Sequence, residues 1–362
     1  MQKSVLGIVI LGAVAGVTAA VSLLDLGGLT RSVDRRDPIT VSIYYGGEKS
    51  ALLRNEKVQE ILERRYKITL DATKAGSVEM ATSLPVAGRD CLWPSNMVAV
   101  ELARENGRTI LGSETIFNSP IVFYAWADVA DAMISKGVVT KRNDDFLTAD
   151  VAKIGELIAT EARWKEDLGL NIYGPFKVFS THPAKSNSGN IWSGLLATVL
   201  NKGRTPTEDD LDMLVPQVNA YFAAMGHMEA SSGDIFQNFL KQGMGARPII
   251  VGYENQMVEF LAQNARFAED ISTRVRVIYP EPTIFASHPL ISLTSKCKRL
   301  SEALIDLDLQ AAAWADHGFR TGLIGVENDP NDIAETSLPE TVNLVVPMPS
   351  ANVMEAIIEA VE

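Results

Sequence analysis

The chain has 362 residues, 46% of them apolar and 22% charged, with 33 basic against 45 acidic side chains and a formal net charge of −12. A length beyond about 250–300 residues, where single cores stop growing, predicts two lobes, and the composition excludes disorder for most of the chain. A duplex nucleic acid needs a basic face to neutralise phosphates, and no run of Lys or Arg supplies one, so no nucleic-acid partner is expected.

Ser4 begins 21 uncharged residues, 4–24, preceded by Lys3. A bilayer span needs roughly 20 apolar residues, so the segment is long enough to cross. The small residues Val17-Thr18-Ala19 resemble a signal-peptidase site. A cleaved signal peptide and an uncleaved membrane anchor both remain open, and both place the rest of the chain outside the cytoplasm. Arg31, Arg35 and Arg36 after the segment run against the positive-inside rule, although Asp25, Asp34 and Asp37 are mixed among them.

After a polar linker, residues 39–45 (ITVSIYY) read as a strand leading into Gly46-Gly47-Glu48-Lys49-Ser50. A helix is predicted over 51–65, a strand over 68–72, a turn at Gly76-Ser77 and an amphipathic stretch beyond it. This strand–loop–helix rhythm belongs to a parallel α/β sheet. Pro94-Ser95-Asn96 opens a helix over 97–106. Residues 119–126 (SPIVFYAW) form an apolar strand. A helix over 150–164 is expected with Thr148 as its N-cap. Residues 173–181 read as a strand ending in a polar loop, and Ile191, Leu195 and Val199 mark the next helix. An acidic linker, 205–212, precedes a helix through Leu214, Val218 and Phe222. Strands follow at 248–253 and 274–279, with a helix at 256–265 between them. One helix is expected over 300–315, ending near Gly318, then a strand at 344–348 and a closing helix from Ser350.

Catalytic signatures are missing. The sequence contains no G-x-S-x-G elbow, phosphate loop, H-E-x-x-H or G-x-G-x-x-G. Its four His residues have no ligand spacing and its two Cys residues cannot form a Cys-x-x-Cys zinc site, so no enzyme, no metal and no cofactor is expected. Cys91 and Cys297 are open to pairing or to existing as buried thiols. What recurs is an apolar strand running into Gly, Ser, Thr or Asn, with a helix starting at once: Gly46 to Ser50, Gly76-Ser77, Pro94-Ser95-Asn96 and Ser186-Asn187-Ser188-Gly189. Such loops also serve simply as N-caps. Beyond the carboxyl ends of strands in an open α/β sheet, however, ligands bind, and helix N-terminal N–H groups favour anions. Tyr253-Glu254-Asn255 adds a polar face, and a buried Glu254 would pair with a ligand cation, Lys49 or Lys185.

These residues resemble the type II extracytoplasmic solute-binding proteins of bacterial importers, and within them the solute-binding-like modules beside von Willebrand type A domains. The resembling stretches are Tyr173-Gly174-Pro175-Phe176-Lys177, Lys185-Ser186-Asn187-Ser188-Gly189, Val251-Gly252-Tyr253-Glu254-Asn255, Val277-Ile278-Tyr279-Pro280-Glu281, Ser287-His288-Pro289 and Gly318-Phe319-Arg320. The resemblance implies an α/β, two-lobed type II periplasmic-binding-protein fold with a two-strand hinge near Ser119-Pro120 and Tyr279-Pro280. Residues 1–37 would be targeting segment and linker, 38–118 with 280–362 lobe I, and 119–279 lobe II. Gly46, Ser50, Ser77, Ser95, Ser186, Asn187, Ser188 and Tyr253 would line the cleft, with Glu254 beside them. The expected function is closure on a small polar ligand, an oxyanion or carboxylate. The alternative is a membrane-anchored protein-interaction module that uses the same scaffold. The sequence departs from the pattern in having no Cys for lipid attachment and no type A segment, so the partner is left open between a membrane transporter and another membrane protein.

Overall fold

The computed structural model describes residues 37–142, 146–333 and 338–361. The expected signal peptide or anchor at 4–24 lies outside the described residues. Among those described, no helix is long and apolar enough to cross a membrane.

In chain order the elements are β1 (Ile39–Tyr45), α1 (Glu56–Glu60, continued by a π-helical turn Ile61–Arg65), β2 (Ile68–Lys74), α2 (Ser77–Thr82), β3 (Cys91–Trp93), α3 (Val98–Glu105) and β4 (Gly112–Trp126). Then come α4 (Ala127–Ser135), β5 (Val139–Lys141), β6 (Leu147–Asp150), α5 (Val151–Ala159), α6 (Asn187–Leu200), α7 (Leu211–Ala223), α8 (Ser232–Gln242) and β7 (Ile249–Tyr253). The chain finishes with α9 (Glu254–Gln263), α10 (Ala265–Arg274), β8 (Val275–Glu281), β9 (Phe285–Ser292), α11 (Lys296–Leu304), α12 (Leu307–His317), β10 (Arg320–Thr321) and α13 (Ala351–Glu359).

Two lobes share one long strand. The first half of β4 pairs antiparallel with β9, which pairs with β3, then β1 and β2 in parallel. From Ile121 onward β4 changes partners to β7 and β8, and β8 continues to β6 and β5. The exchange falls at Pro120–Ile121, the point where a proline removes one ladder donor. A second crossing runs from the end of β8 into β9, held by Thr283 Oγ1 donating to Ile121 O at 2.9 Å.

The chain also passes between the lobes a third time. β10 pairs with β4 beside the first sheet, at Arg320↔Asn118, whereas α13 packs on α6 and α7 of the second lobe and on α3 of the first. What holds α13 is its apolar stripe: Val353, Met354 and Ile357 join a core cluster that also contains Val98 and Leu102 of α3, and Ile358 is buried beside them. Each fully buried side chain of this kind contributes about 1.5–3 kcal/mol.

The first lobe has its own core, in which β1 and β3 meet α11 and α12. Cys91 of β3 and Cys297 of α11 form a disulfide there, with Cα atoms 5.6 Å apart. Several predicted elements differ. The helix expected over 150–164 stops at Ala159, and Asp150, not Thr148, caps it by accepting from Ala152 N and Lys153 N. Residues 173–181 form only isolated bridges, at Pro175 and Phe179, where Gly174 takes φ +95°. Residues 300–315 divide into α11 and α12 because the Asp306 side chain caps Asp308 N and starts a new helix. Residues 344–348 contribute a single bridge, Val345 to Thr283.

Candidate functional site

Three of the four strand-end loops reach one cavity of about 330 Å³ between the lobes, and the fourth is hydrogen-bonded to lining residues through Ser95. Gly46 follows β1, Ser77 begins α2, and Ser186 and Asn187 open α6; all four line the cavity. A volume of this size lies at the small end of the range for ligand pockets. Glu48, Lys74, Glu79 and Lys185 also line it, so both signs of charge face the space.

Ser95 and Asn96 are buried at the lobe interface and tie the lobes together. Ser95 N donates to Ser77 Oγ at 3.0 Å. From the other lobe, Asn187 Nδ2 donates to Ser95 O at 2.8 Å and to the Tyr253 hydroxyl at 3.0 Å. Asn96 Nδ2 donates to Asn187 Oδ1 and, at 3.3 Å, to Asn190 Oδ1, while Asn96 Oδ1 accepts from Ala99 N at 2.9 Å. Ser188 is fully buried and shares hydrogen bonds with Thr181 Oγ1 at 2.8 Å and Ser186 Oγ at 3.3 Å. A Cβ at Gly189 would stand 2.2 Å from Thr181 O, so only glycine lets this loop fold onto the preceding segment.

A charged cluster adjoins the cavity through Glu48. Lys49 is completely buried, and its ammonium donates to Glu48 Oε1 and, at 3.0 Å, to Ser95 Oγ, beneath the Trp93 ring at 5.4 Å. Ser95 Oγ in turn donates to Glu48 Oε1, and His288 Nδ1 stands 3.5 Å from that oxygen. Burial pushes the Glu48 carboxyl up, but Lys49 and His288 outweigh it and hold the group well below the usual carboxylate range. Burial pulls Lys49 down more than Glu48 raises it. Burial and then the Lys49 charge lower His288 to about 4.

Two expected site residues are placed elsewhere. Ser50 donates its hydroxyl back to Gly47 O at 2.6 Å, closing a short 3-10 turn. Glu254 does not pair with Lys49 or Lys185. Its carboxylate receives Arg320 through Nε at 2.7 Å and Nη2 at 2.8 Å, and the Tyr279 hydroxyl at 2.7 Å. Arg320 also donates to Pro339 O at 2.6 Å and Glu340 O at 2.8 Å, which saturates the pair. The reason is topological: Glu254 is the first residue of α9, and α9 packs on α12, whose end delivers Arg320.

Sequence reasoning did not assign Glu48, Lys49, Asn96 or His288 to the site. The first two carried a signal, a charged pair directly after two glycines at a strand end. Asn96 lay inside a recognised loop. His288 comes from β9, far along the chain, and had no local signal.

No family model matches the sequence, and no curated protein matches it either. Solved structures do match. Iron-bound HitA from Pseudomonas aeruginosa is 12% identical, with a TM-score of 0.54 over 89% of this chain and 97% of that one. The ferric binding protein from Campylobacter jejuni is 12% identical, with a TM-score of 0.53 over 89% and 97%. The periplasmic binding protein P5PA is 13% identical, with a TM-score of 0.51 over 88% and 97%. At such identity these likenesses establish the fold: the chain has the two-lobed α/β architecture of periplasmic binding proteins.

Proposed function

We propose that the protein is an extracytoplasmic solute-binding protein that closes by hinge bending on a small polar ligand, an oxyanion or a carboxylate. The carrying observation is the convergence of strand-end loops from both lobes on one cavity, with Gly46, Ser77, Ser186 and Asn187 on its walls. Two crossings beside the β4 partner exchange supply the hinge, and closure replaces the water around a ligand with fixed donors. The fourteen-residue helix α6 directs its first turn at the cavity, where unpaired N–H groups favour negative charge.

An anion is favoured over a cation by the cluster beneath. The neighbours named above for iron bind a cation, but here the carboxylate at the cavity wall is already held by the buried Lys49 ammonium, which would repel a metal ion. The Cys91–Cys297 disulfide supports an oxidising compartment. A transporter or another membrane protein would then receive the ligand.

Thermal shift against sulfate, phosphate, molybdate and small carboxylates tests this reading. Tight binding at saturation raises stability by a few kcal/mol. Ser186→Trp should fold normally and lose the shift. The reading fails if none of these anions moves the Tm of the wild-type protein.

A further inference from the structure

The polar floor of the cleft contains a feature that solute binding alone does not require. Two donors of the first lobe converge on one oxygen, Oε1 of Glu48: the Lys49 ammonium and the Ser95 hydroxyl, with His288 Nδ1 standing 3.5 Å from it. An ammonium beside a hydroxyl is the arrangement an enclosed site would offer a ligand carboxylate or oxyanion. Glu48 itself lines the cavity, with 6% of its side chain exposed, whereas Lys49 below it is wholly enclosed. The backbone is shaped around this carboxylate. A Cβ at residue 46 would lie 2.5 Å from Glu48 Oε1, 2.8 Å from Oε2 and 2.6 Å from Ser95 Oγ, so glycine is needed for the chain to nest over it. Glu48 sits on the 3-10 turn Gly47–Lys49, which Ser50 and Ala51 separate from the next 3-10 turn, Leu52–Arg54.

We propose that the Glu48 carboxylate is a tethered internal ligand: it occupies the anion position of the cleft, and an incoming oxyanion or carboxylate must displace it. This rests on the solute-binding reading above and deepens it. Removing Glu48 leaves Lys49 with Ser95 Oγ as its one remaining hydrogen-bond partner among the contacts described, so the buried ammonium keeps a position for an external anion. The internal occupant therefore sets a threshold. Weak or dilute anions leave it in place, and only a ligand that also engages the far wall, where Ser186 and Asn187 stand, displaces it.

The test is isothermal titration of the full chain and of Glu48→Gln with sulfate, phosphate, molybdate and acetate. Glu48→Gln keeps the shape and removes the competing charge. It should bind at least one of these anions at least about tenfold more tightly than wild type, and adding Lys49→Met should abolish the gain. Equal or weaker binding by Glu48→Gln overturns the internal ligand and leaves the solute-binding reading intact. Binding of no anion by either form overturns both. If Glu48→Gln does not fold, Glu48→Asp serves in the same comparison. Its shorter carboxylate reaches the donors poorly, so its anion affinity should rise, and an unchanged affinity overturns the proposal.

Discussion

Two of the buried carboxylate–cation pairs among the described residues are built differently. Glu254 meets Arg320 through two guanidinium nitrogens, accepts from Tyr279, and lies where Arg320 also binds two backbone carbonyls. Glu48 meets Lys49, its own neighbour in sequence, on a three-residue turn at a cavity wall. The guanidinium fork is saturated and joins distant segments, α9 to β10, so it fixes their relative position. The ammonium is a point charge held by Glu48 and Ser95 Oγ, without the planar fork of a guanidinium. Burial and charge are common to both pairs; saturation and adjacency to a cavity separate them.

The largest expected effect breaks the saturated pair. Arg320→Ala leaves Glu254 enclosed without a counter-charge, which typically costs about 3–5 kcal/mol. Urea denaturation should show that loss, and added sulfate or acetate should not restore it, since Glu254 is fully enclosed. Recovery by small anions would mean that the two clusters do not differ in the way described.

A smaller effect separates the clusters by pH. His288 is held at about 4, lowered first by burial and then by the Lys49 charge. Its folded value lies below its unfolded value of about 6.5. The stability gained from keeping the ring neutral is therefore complete above pH 6.5 and is lost as pH falls toward 4. The shift corresponds to about 3 kcal/mol. The Glu48 carboxyl, also depressed, begins to add its own loss only below about 4.5, its ordinary range. Stability measured by denaturant midpoint across pH 4–7 should fall for wild type and fall much less for His288→Phe. A parallel decline in both proteins would remove His288 from the account.

The fold was legible where the physics is local. The strand at 39–45 alternates and is β-branched, and its observed bounds are Ile39–Tyr45. The loop 186–189 announced α6 through its polar residues and the apolar stripe behind them. Where a partner far along the chain decides, the sequence was silent. Residues 112–118 look polar and unremarkable, yet pairing with β9 extends β4 across them. The site shows the same division. Gly46, Ser77, Ser186 and Asn187 come to one cavity because each is the local end of a strand or the start of a helix. Glu254 satisfied the same local rule and was drawn instead to Arg320, some 66 residues away. The disulfide also depended on tertiary placement, since β3 and α11 are brought side by side only by the order of the first sheet.

The smallest effect probes the seam between the lobes. Asn187 makes three hydrogen bonds there: it donates to Ser95 O and to the Tyr253 hydroxyl, and its Oδ1 accepts from Asn96. The bonds to Ser95 and Asn96 cross the cleft, and that to Tyr253 stays within the second lobe. Asn187→Ala removes all three, but the seam borders the cavity, so water can reach the freed groups when the lobes part. The cost to global stability should therefore be about 1 kcal/mol, the net worth of an ordinary hydrogen bond, rather than the full penalty of stranded polar atoms. The balance between closed and open forms depends directly on the two lost cross-cleft bonds, and 1 kcal/mol shifts it about fivefold. Small-angle scattering should report a larger radius of gyration for Asn187→Ala, with a Tm close to wild type. Asn190→Ala is the comparison: its Oδ1 accepts one longer bond from Asn96 at 3.3 Å and its amide nitrogen has no partner among the described residues, so scattering should stay near wild type. If Asn187→Ala instead unfolds the protein as severely as Arg320→Ala, the seam is part of the rigid core. The contrast between a fixed hinge-side pair and a yielding cleft would then have to be given up.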